Sequence, residues 1–98
     1  MAIKLIAMTR IKPGAEEALG EYMKVVGPLM QQAGATIVDR FEMNDNVVGS
    51  NEVQYLTILE YPDTATVSKV FDSDDYKSLE NVKEQAFSYY QVNMATTM

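Results

Sequence analysis

The 98-residue chain has no histidine, no cysteine and no tryptophan, and only three prolines. Each absence excludes something. Without cysteine there is no disulfide framework, no thiolate nucleophile and no thiolate metal site. Without histidine the chain lacks the side chain that titrates near neutral pH, the commonest general base and metal ligand. Haem held through histidine is excluded as well. Basic residues are scarce: 8 Lys and Arg stand against 14 Asp and Glu, for a net charge of −6, and only Arg10 and Arg40 are arginines. No run of Lys and Arg occurs, so neither nucleic acid nor an anionic membrane is an expected partner. No apolar stretch is long enough to cross a bilayer. Glycine-rich phosphate loops and Ser-Lys or Ser-His-Asp arrangements are also missing. The sequence enters a strand pattern at Ile3 with no signal-peptide character, and a cytoplasmic location is the expectation. No cofactor and no bound metal are expected.

What is present is an ordinary globular composition, 47% hydrophobic and 22% charged, sized for one domain over residues 1–98. Ile3 to Ile11 alternates as a strand and stops at Pro13-Gly14. From Ala15 to Ala33, Leu19, Tyr22, Met23, Val26, Met30 and Ala33 fall at helical spacing. Glu16 and Glu17 occupy the first turn, where the helix dipole favours negative charge. Pro28 lies inside this pattern and is expected to kink or break the helix near its end. Gly34 is placed to terminate it in a left-handed conformation. Strands follow over Thr36 to Met43 and Glu52 to Tyr61, separated by the turn-rich segment Asn44 to Asn51, which is long for a hairpin. Pro62-Asp63-Thr64 opens a short helix with Asp63 or Thr64 as its cap. Ser73-Asp74-Asp75 caps a second helical stretch carrying Tyr76, Leu79, Val82 and Ala86 on one face. The cluster Asp72-Ser73-Asp74-Asp75 lacks the glycine and terminal glutamate of a calcium loop, and capping explains it better. A last strand runs from Phe87 to Thr96. The order β-α-β-β-α-β, with right-handed crossovers, gives an α+β ferredoxin-like sandwich with a four-stranded antiparallel sheet whose first and third strands are central.

The strands are apolar on both faces, yet helices are available for only one. One face shows Ile3, Leu5, Ala7, Thr9 and Ile11 with Val53, Tyr55, Thr57, Leu59 and Tyr61, and suits helix packing. The other shows Lys4, Ile6, Met8 and Arg10 with Gln54, Leu56, Ile58 and Glu60, apolar in the middle and charged at its ends. A sheet covered on one side needs a second cover. Another copy of the chain is the simplest one, so a homodimer is expected.

Two stretches also carry a family resemblance. Arg10-Ile11-Lys12-Pro13-Gly14-Ala15-Glu16-Glu17 resembles the start of antibiotic-biosynthesis-monooxygenase-type domains. Glu60-Tyr61-Pro62-Asp63 and Phe71-Asp72-Ser73-Asp74-Asp75-Tyr76-Lys77-Ser78-Leu79 resemble the DUF1330 family, as does Gly34 followed by Arg40. The resemblance implies membership of the dimeric α+β barrel superfamily. It departs from DUF1330 at Lys83, which stands where an arginine is usual and lacks the planar fork of that residue. Relatives that degrade haem use an Asn-Trp-His set, of which this chain has neither the Trp nor the His. What the monooxygenase-type resemblance implies is cofactor-independent oxygenation or isomerisation of a small organic ligand.

The candidate ligand-binding residues are Met8, Arg10, Arg40, Glu60, Tyr89 and Gln91. Arg10 and Arg40 are either an anion clamp or partners of Glu52, Glu42 or Glu60 in ion pairs. Glu60 is either a base with raised pKa in apolar surroundings or the cross-strand partner of Lys4. Of the pair Tyr89 and Tyr90, alternation sends one to each face. Tyr89 is assigned to the inner one, with Gln91 and Asn93 beside it. These groups either meet a ligand or satisfy one another. Two functions follow: a dimer holding a small ligand between its sheet and its helices or partner, or a non-catalytic interaction protein whose dimer core is filled with side chains. A pocket of roughly 300 Å³ or more favours the first.

Overall fold

A computed structural model describes residues 2–98 of the chain. Its elements, in order, are β1 (Ile3–Ile11), α1 (Glu16–Gln32), β2 (Thr36–Glu42), β3 (Tyr55–Tyr61), α2 (Thr64–Phe71), α3 (Asp74–Lys77), α4 (Glu80–Ala86) and β4 (Phe87–Ala95). The strands form one antiparallel sheet in the order β2-β3-β1-β4. This is the ferredoxin-like arrangement, with β1 and β3 central. Leu5 faces Leu59 on one side and Met94 on the other, and Ile6 faces Ile58 and Asn93. The period-2 alternation read from the sequence therefore sorts β1 and β3 onto the expected faces.

The expected break at Pro28 does not occur: α1 continues through it to Gln32. Proline there removes one amide donor, and the carbonyl that would have received it belongs to Lys24, an exposed residue whose carbonyl water can satisfy. The end of α1 is set instead by Gly34, with φ of 79°. The Ala35 amide donates to the Met30 carbonyl and the Gly34 amide to Gln31, a Schellman closure. A side chain at Gly34 would also crowd the Pro62 ring, 3.2 Å from an added Cβ.

The second crossover differs from the first. Where α1 is one helix of 17 residues, residues 64–86 form three short ones. Asp63 caps α2 by accepting from the Thr66 amide at 2.9 Å, and the Thr66 hydroxyl lies 3.3 Å from the Asp63 amide, completing a capping box. Ser73 caps α3 by accepting from the Tyr76 amide at 3.1 Å, with Asp74 and Asp75 in the first turn. The chain passes from Ala86 of α4 into Phe87 of β4 without a loop. At the other hairpin β3 begins at Tyr55, later than Glu52, but pairing extends beyond it. The Gln54 amide donates to the Thr9 carbonyl and the Met43 amide to Gln54, both at 2.8 Å.

All helices lie on one face of the sheet. Leu5, Leu59 and Tyr61 from the sheet pack with Ala33, Val67 and Val70 from the helical side. A second cluster joins Tyr22, Val26, Tyr76, Leu79, Ala86 and Phe87. The result is a slab with extents of 36 × 36 × 16 Å. Its radius of gyration of 13.9 Å exceeds the about 12.6 Å of a compact chain of this length. Every residue of β2 is exposed, and Phe41 on the uncovered face keeps 47% of its surface.

Candidate functional site

Three tyrosines meet where α1, α3 and β4 converge. Tyr22 lies on the core stripe of α1, turned inward with Val26. Tyr76 sits in the first turn of α3, just after its Ser73 cap. Tyr90 stands on β4 opposite Thr9 of β1, on the helix-covered face. The Tyr90 hydroxyl lies 2.6 Å from that of Tyr22 and 2.7 Å from that of Tyr76. From α4, the Lys83 ammonium donates to the Tyr76 hydroxyl at 3.1 Å. It also lies 4.5 Å from the centre of the Tyr76 ring and 4.8 Å from that of Tyr90, within cation–π range of both. Phe87 meets the Tyr22 ring edge-on at 5.1 Å, and Phe71 meets the Tyr76 ring at 4.9 Å. These contacts fix the ring positions from several sides.

Burial opposes the ionisation of two of these phenols and raises their pKa. Tyr22 is held well above its ordinary value by desolvation, only partly offset by its hydrogen bond to Tyr90. Tyr90 is raised further, by desolvation first and then by its phenolic neighbours. Tyr61, nearby in β3, is pushed up to about 12 by burial, and its hydroxyl finds no hydrogen-bond partner among the described residues. Tyr22 and Tyr90 are therefore held as neutral phenols, in contact with Tyr76 and, through it, with one lysine.

A cleft of about 360 Å³ opens beside the cluster. Its lining is Val67 and Phe71 of α2, Leu5 of β1, Tyr76 of α3, and Tyr90, Gln91, Val92 and Met94 of β4. β4 is an edge strand, and Met94 keeps 57% of its surface exposed at the rim. Size and lining match an ordinary small-molecule site, apolar with a few converging polar groups.

Of the residues named from sequence, Gln91 lines this cleft, and Met8, Arg10, Arg40, Glu60 and Tyr89 are not among its lining. Met8 faces Gln91, Arg10 faces Tyr89 and Glu60 faces Lys4, all on the uncovered face of the sheet. Arg40 pairs with Thr57, a position on the opposite face, so the two arginines do not converge within one chain. The Arg10 guanidinium donates to the backbone carbonyl of Glu52 rather than pairing with its carboxylate. The Tyr89 hydroxyl donates to Gln91 at 2.8 Å, and the Gln91 amide lies 3.4 Å from the Asn93 carbonyl oxygen. These three polar groups thus satisfy one another along a single strand. The site that sequence reasoning missed is the one formed by Tyr90 and Lys83 with Tyr22 and Tyr76. A signal existed: three tyrosines fall on inward-facing positions of two helices and one strand, and phenols at the same depth of a thin layer tend to meet.

Among the described residues, no helix is long and apolar enough to cross a membrane. No curated protein matches the chain. Solved structures share its fold at low identity. A protein of unknown function from Rhodopseudomonas palustris superposes with a TM-score of 0.82 at 17% identity, covering 99% of this chain and 82% of the other. A DABB family protein with a ferredoxin-like fold from Mesorhizobium loti gives 0.65 at 12% identity, covering 99% and 97%. A dimeric protein of unknown function and ferredoxin-like fold from Bacteroides fragilis gives 0.58 at 8% identity, covering 98% and 96%. At such identities the likeness speaks for the fold alone. The sequence pattern of DUF1330, a domain of unknown function, matches residues 5–95, so nearly the whole chain, cleft and tyrosine cluster included, belongs to the DUF1330 family.

Proposed function

We propose that the chain is a small-ligand-binding protein that works as a homodimer, each protomer holding an organic ligand in the cleft between α2, α3 and β4. The observation that carries this reading is the cleft itself. It has about 360 Å³ of space, apolar walls, and the hydroxyl-bearing rings of Tyr76 and Tyr90 in its lining. The uncovered face supports the dimer. Ile6, Met8, Leu56 and Ile58 lie there half-buried, with Phe41 exposed beside them. A contiguous apolar face of this kind on a thin slab favours a second layer. Tyr89, Gln91 and Asn93 satisfy one another on that face. Together with Met8, Arg10 and Glu60 they serve better as a seam between protomers than as a ligand site. The dimeric neighbour from Bacteroides fragilis is consistent with this.

Binding is favoured over catalysis. Apart from Tyr76, Tyr90 and Gln91, every residue lining the cleft is apolar, so it offers no carboxylate as a general base. Any reaction there, including the cofactor-independent oxygenation implied by the family resemblance, would need a substrate that supplies its own reactive electrons. Two measurements test the proposal. Light scattering across a dilution series should give twice the 11.0 kDa chain mass, and Ile58→Lys should halve it with circular dichroism unchanged. Calorimetric titration with small aromatic compounds should show binding that Val92→Phe abolishes by filling the cleft. A monomeric wild type, or binding indifferent to Val92→Phe, would refute the corresponding half.

A further inference from the structure

We infer that the cleft selects its ligand as an oxyanion, a carboxylate, enolate or phenolate carried on an apolar body, recognised by the tyrosine pair in its lining with Lys83 behind it. This deepens the ligand-binding reading above and rests on it. The reason lies in counting hydrogens. Tyr22, Tyr76 and Tyr90 carry one hydroxyl proton each, and a phenol donates only once. Two contacts join them, Tyr22 to Tyr90 and Tyr76 to Tyr90. Whichever oxygen donates in each, two protons are used and one is left without an acceptor among the described residues. Tyr22 is buried away from the cleft, where an unused donor would cost roughly 1–3 kcal/mol. The spare proton therefore belongs to Tyr76 or Tyr90, the two that line the cleft.

Lys83 adds to the surplus. An ammonium has three donors, and the bond Lys83 makes is to the Tyr76 oxygen. Among the described residues no carboxylate lies within 4.0 Å of its nitrogen. The faces of Tyr76 and Tyr90 hold the ammonium in place without neutralising it. The cluster is thus rich in donors, carries positive charge and has no acceptor other than the phenols themselves. A ligand that brings a negatively charged oxygen supplies what is missing, and charge-assisted bonds are the stronger kind. The net charge of −6 opposes anions at long range. Salt screens that field over about 8 Å, while Lys83 stands one phenol behind the cleft, 3.1 Å from the Tyr76 hydroxyl. The side chains joined by contacts in the cluster are Tyr22 from α1, Tyr76 from α3, Lys83 from α4 and Tyr90 from β4, and the acidic Asp75, Glu80 and Glu84 of α3 and α4 are exposed.

The test uses 4-nitrophenol, whose colour reports its ionisation, with 4-nitrotoluene as a probe of the same shape and no acidic group. The full chain is titrated with each, and the spectrum of bound 4-nitrophenol is followed with pH. The expected result is a bound phenol whose ionisation midpoint falls by about one unit, equivalent to about tenfold tighter binding of the phenolate than of the neutral form. Lys83→Met should remove most of that shift while leaving 4-nitrotoluene affinity unchanged, and Tyr90→Phe should weaken the phenolate alone. If both probes bind with no change in midpoint, the oxyanion inference is overturned and the ligand-binding reading stands. If neither binds to folded protein, that reading fails and this inference fails with it. A midpoint shift that persists in folded Lys83→Met would overturn the role given to the lysine.

Discussion

Leu59 and Ile58 are adjacent in β3 and chemically almost the same, yet they belong to different environments. Leu59 is 6% exposed, packed under the helices with Leu5 and Tyr61. Ile58 points the other way, paired with Ile6 on a face that no element of its own chain covers. The covered face has its polar atoms concentrated in one tyrosine cluster beside a cleft, whereas the uncovered face spreads charged and amide groups around an apolar centre. Packing is therefore completed within the chain on one side and left for association on the other.

The sharpest way to break this contrast is to truncate the two neighbours separately. Leu59→Ala should cost about 2–5 kcal/mol in urea unfolding, through lost burial and a residual cavity. Ile58→Ala should cost less, and its cost should rise with protein concentration, because what it loses is contact with a partner. Equal, concentration-independent losses would erase the distinction between the faces. A next effect separates the faces by pH. Tyr22, Tyr61 and Tyr90 on the covered side have folded values above their ordinary 10.0. Their contribution is full below that value and is lost as pH rises through the folded ones, so stability should fall progressively on going above pH 10.0. Denaturant midpoints measured along that range would show it, and a flat profile would contradict the burial of these phenols.

A smaller change has the opposite sign. Tyr61 is wholly buried, with its hydroxyl unpartnered. Tyr61→Phe keeps the ring and removes the orphaned group, and should raise stability by about 1 kcal/mol. A drop in melting temperature would mean that the hydroxyl has a partner after all. The smallest effect lies outside both faces. The Asp63 carboxyl, held below its ordinary 3.8 by the Thr66 amide, caps α2 at full strength above that pH and loses the contribution as pH falls through its lowered value. Asp63→Ala should fray α2 slightly at neutral pH and leave the acid end of the profile unchanged, as read by amide exchange at Val67.

Strand periodicity made the fold legible. The sets Ile3, Leu5, Ala7 and Leu59, Tyr61 could be placed on one side because alternation is a local property that pairing only confirms. Helix termini were legible where the signals were chemical, at Gly34, Asp63 and Ser73. Pro28 misled because the penalty for a missing donor depends on whether the freed carbonyl meets water, which is a matter of tertiary placement. The tyrosines could be read as inward-facing, but their meeting in one cluster could not, for a related reason. Its hydrogen bonds link residues 68 and 14 positions apart, and each ring by itself looked like core. Tyr89 and Gln91 attracted attention as polar groups on an inner face, but a strand satisfies such groups along its own length as easily as it offers them to a ligand. Lys83 stood out only as a substitution in a family pattern, since no local rule says that a helix lysine will fold back over two aromatic rings.

The pairing of β1 with both β3 and β4 bears on how the protein is made. Of the four strands of this sheet, β1 leaves the ribosome before the others and β4 after them. One edge of β1, from Lys4 to Ile11, stays open until Phe87 to Ala95 has been synthesised. An apolar strand with a bare edge is a template for unwanted pairing with other chains. The nascent chain thus holds three paired strands with one bare edge of β1 while residues 64–86 are made, and slow translation across that stretch should lower the yield of native protein.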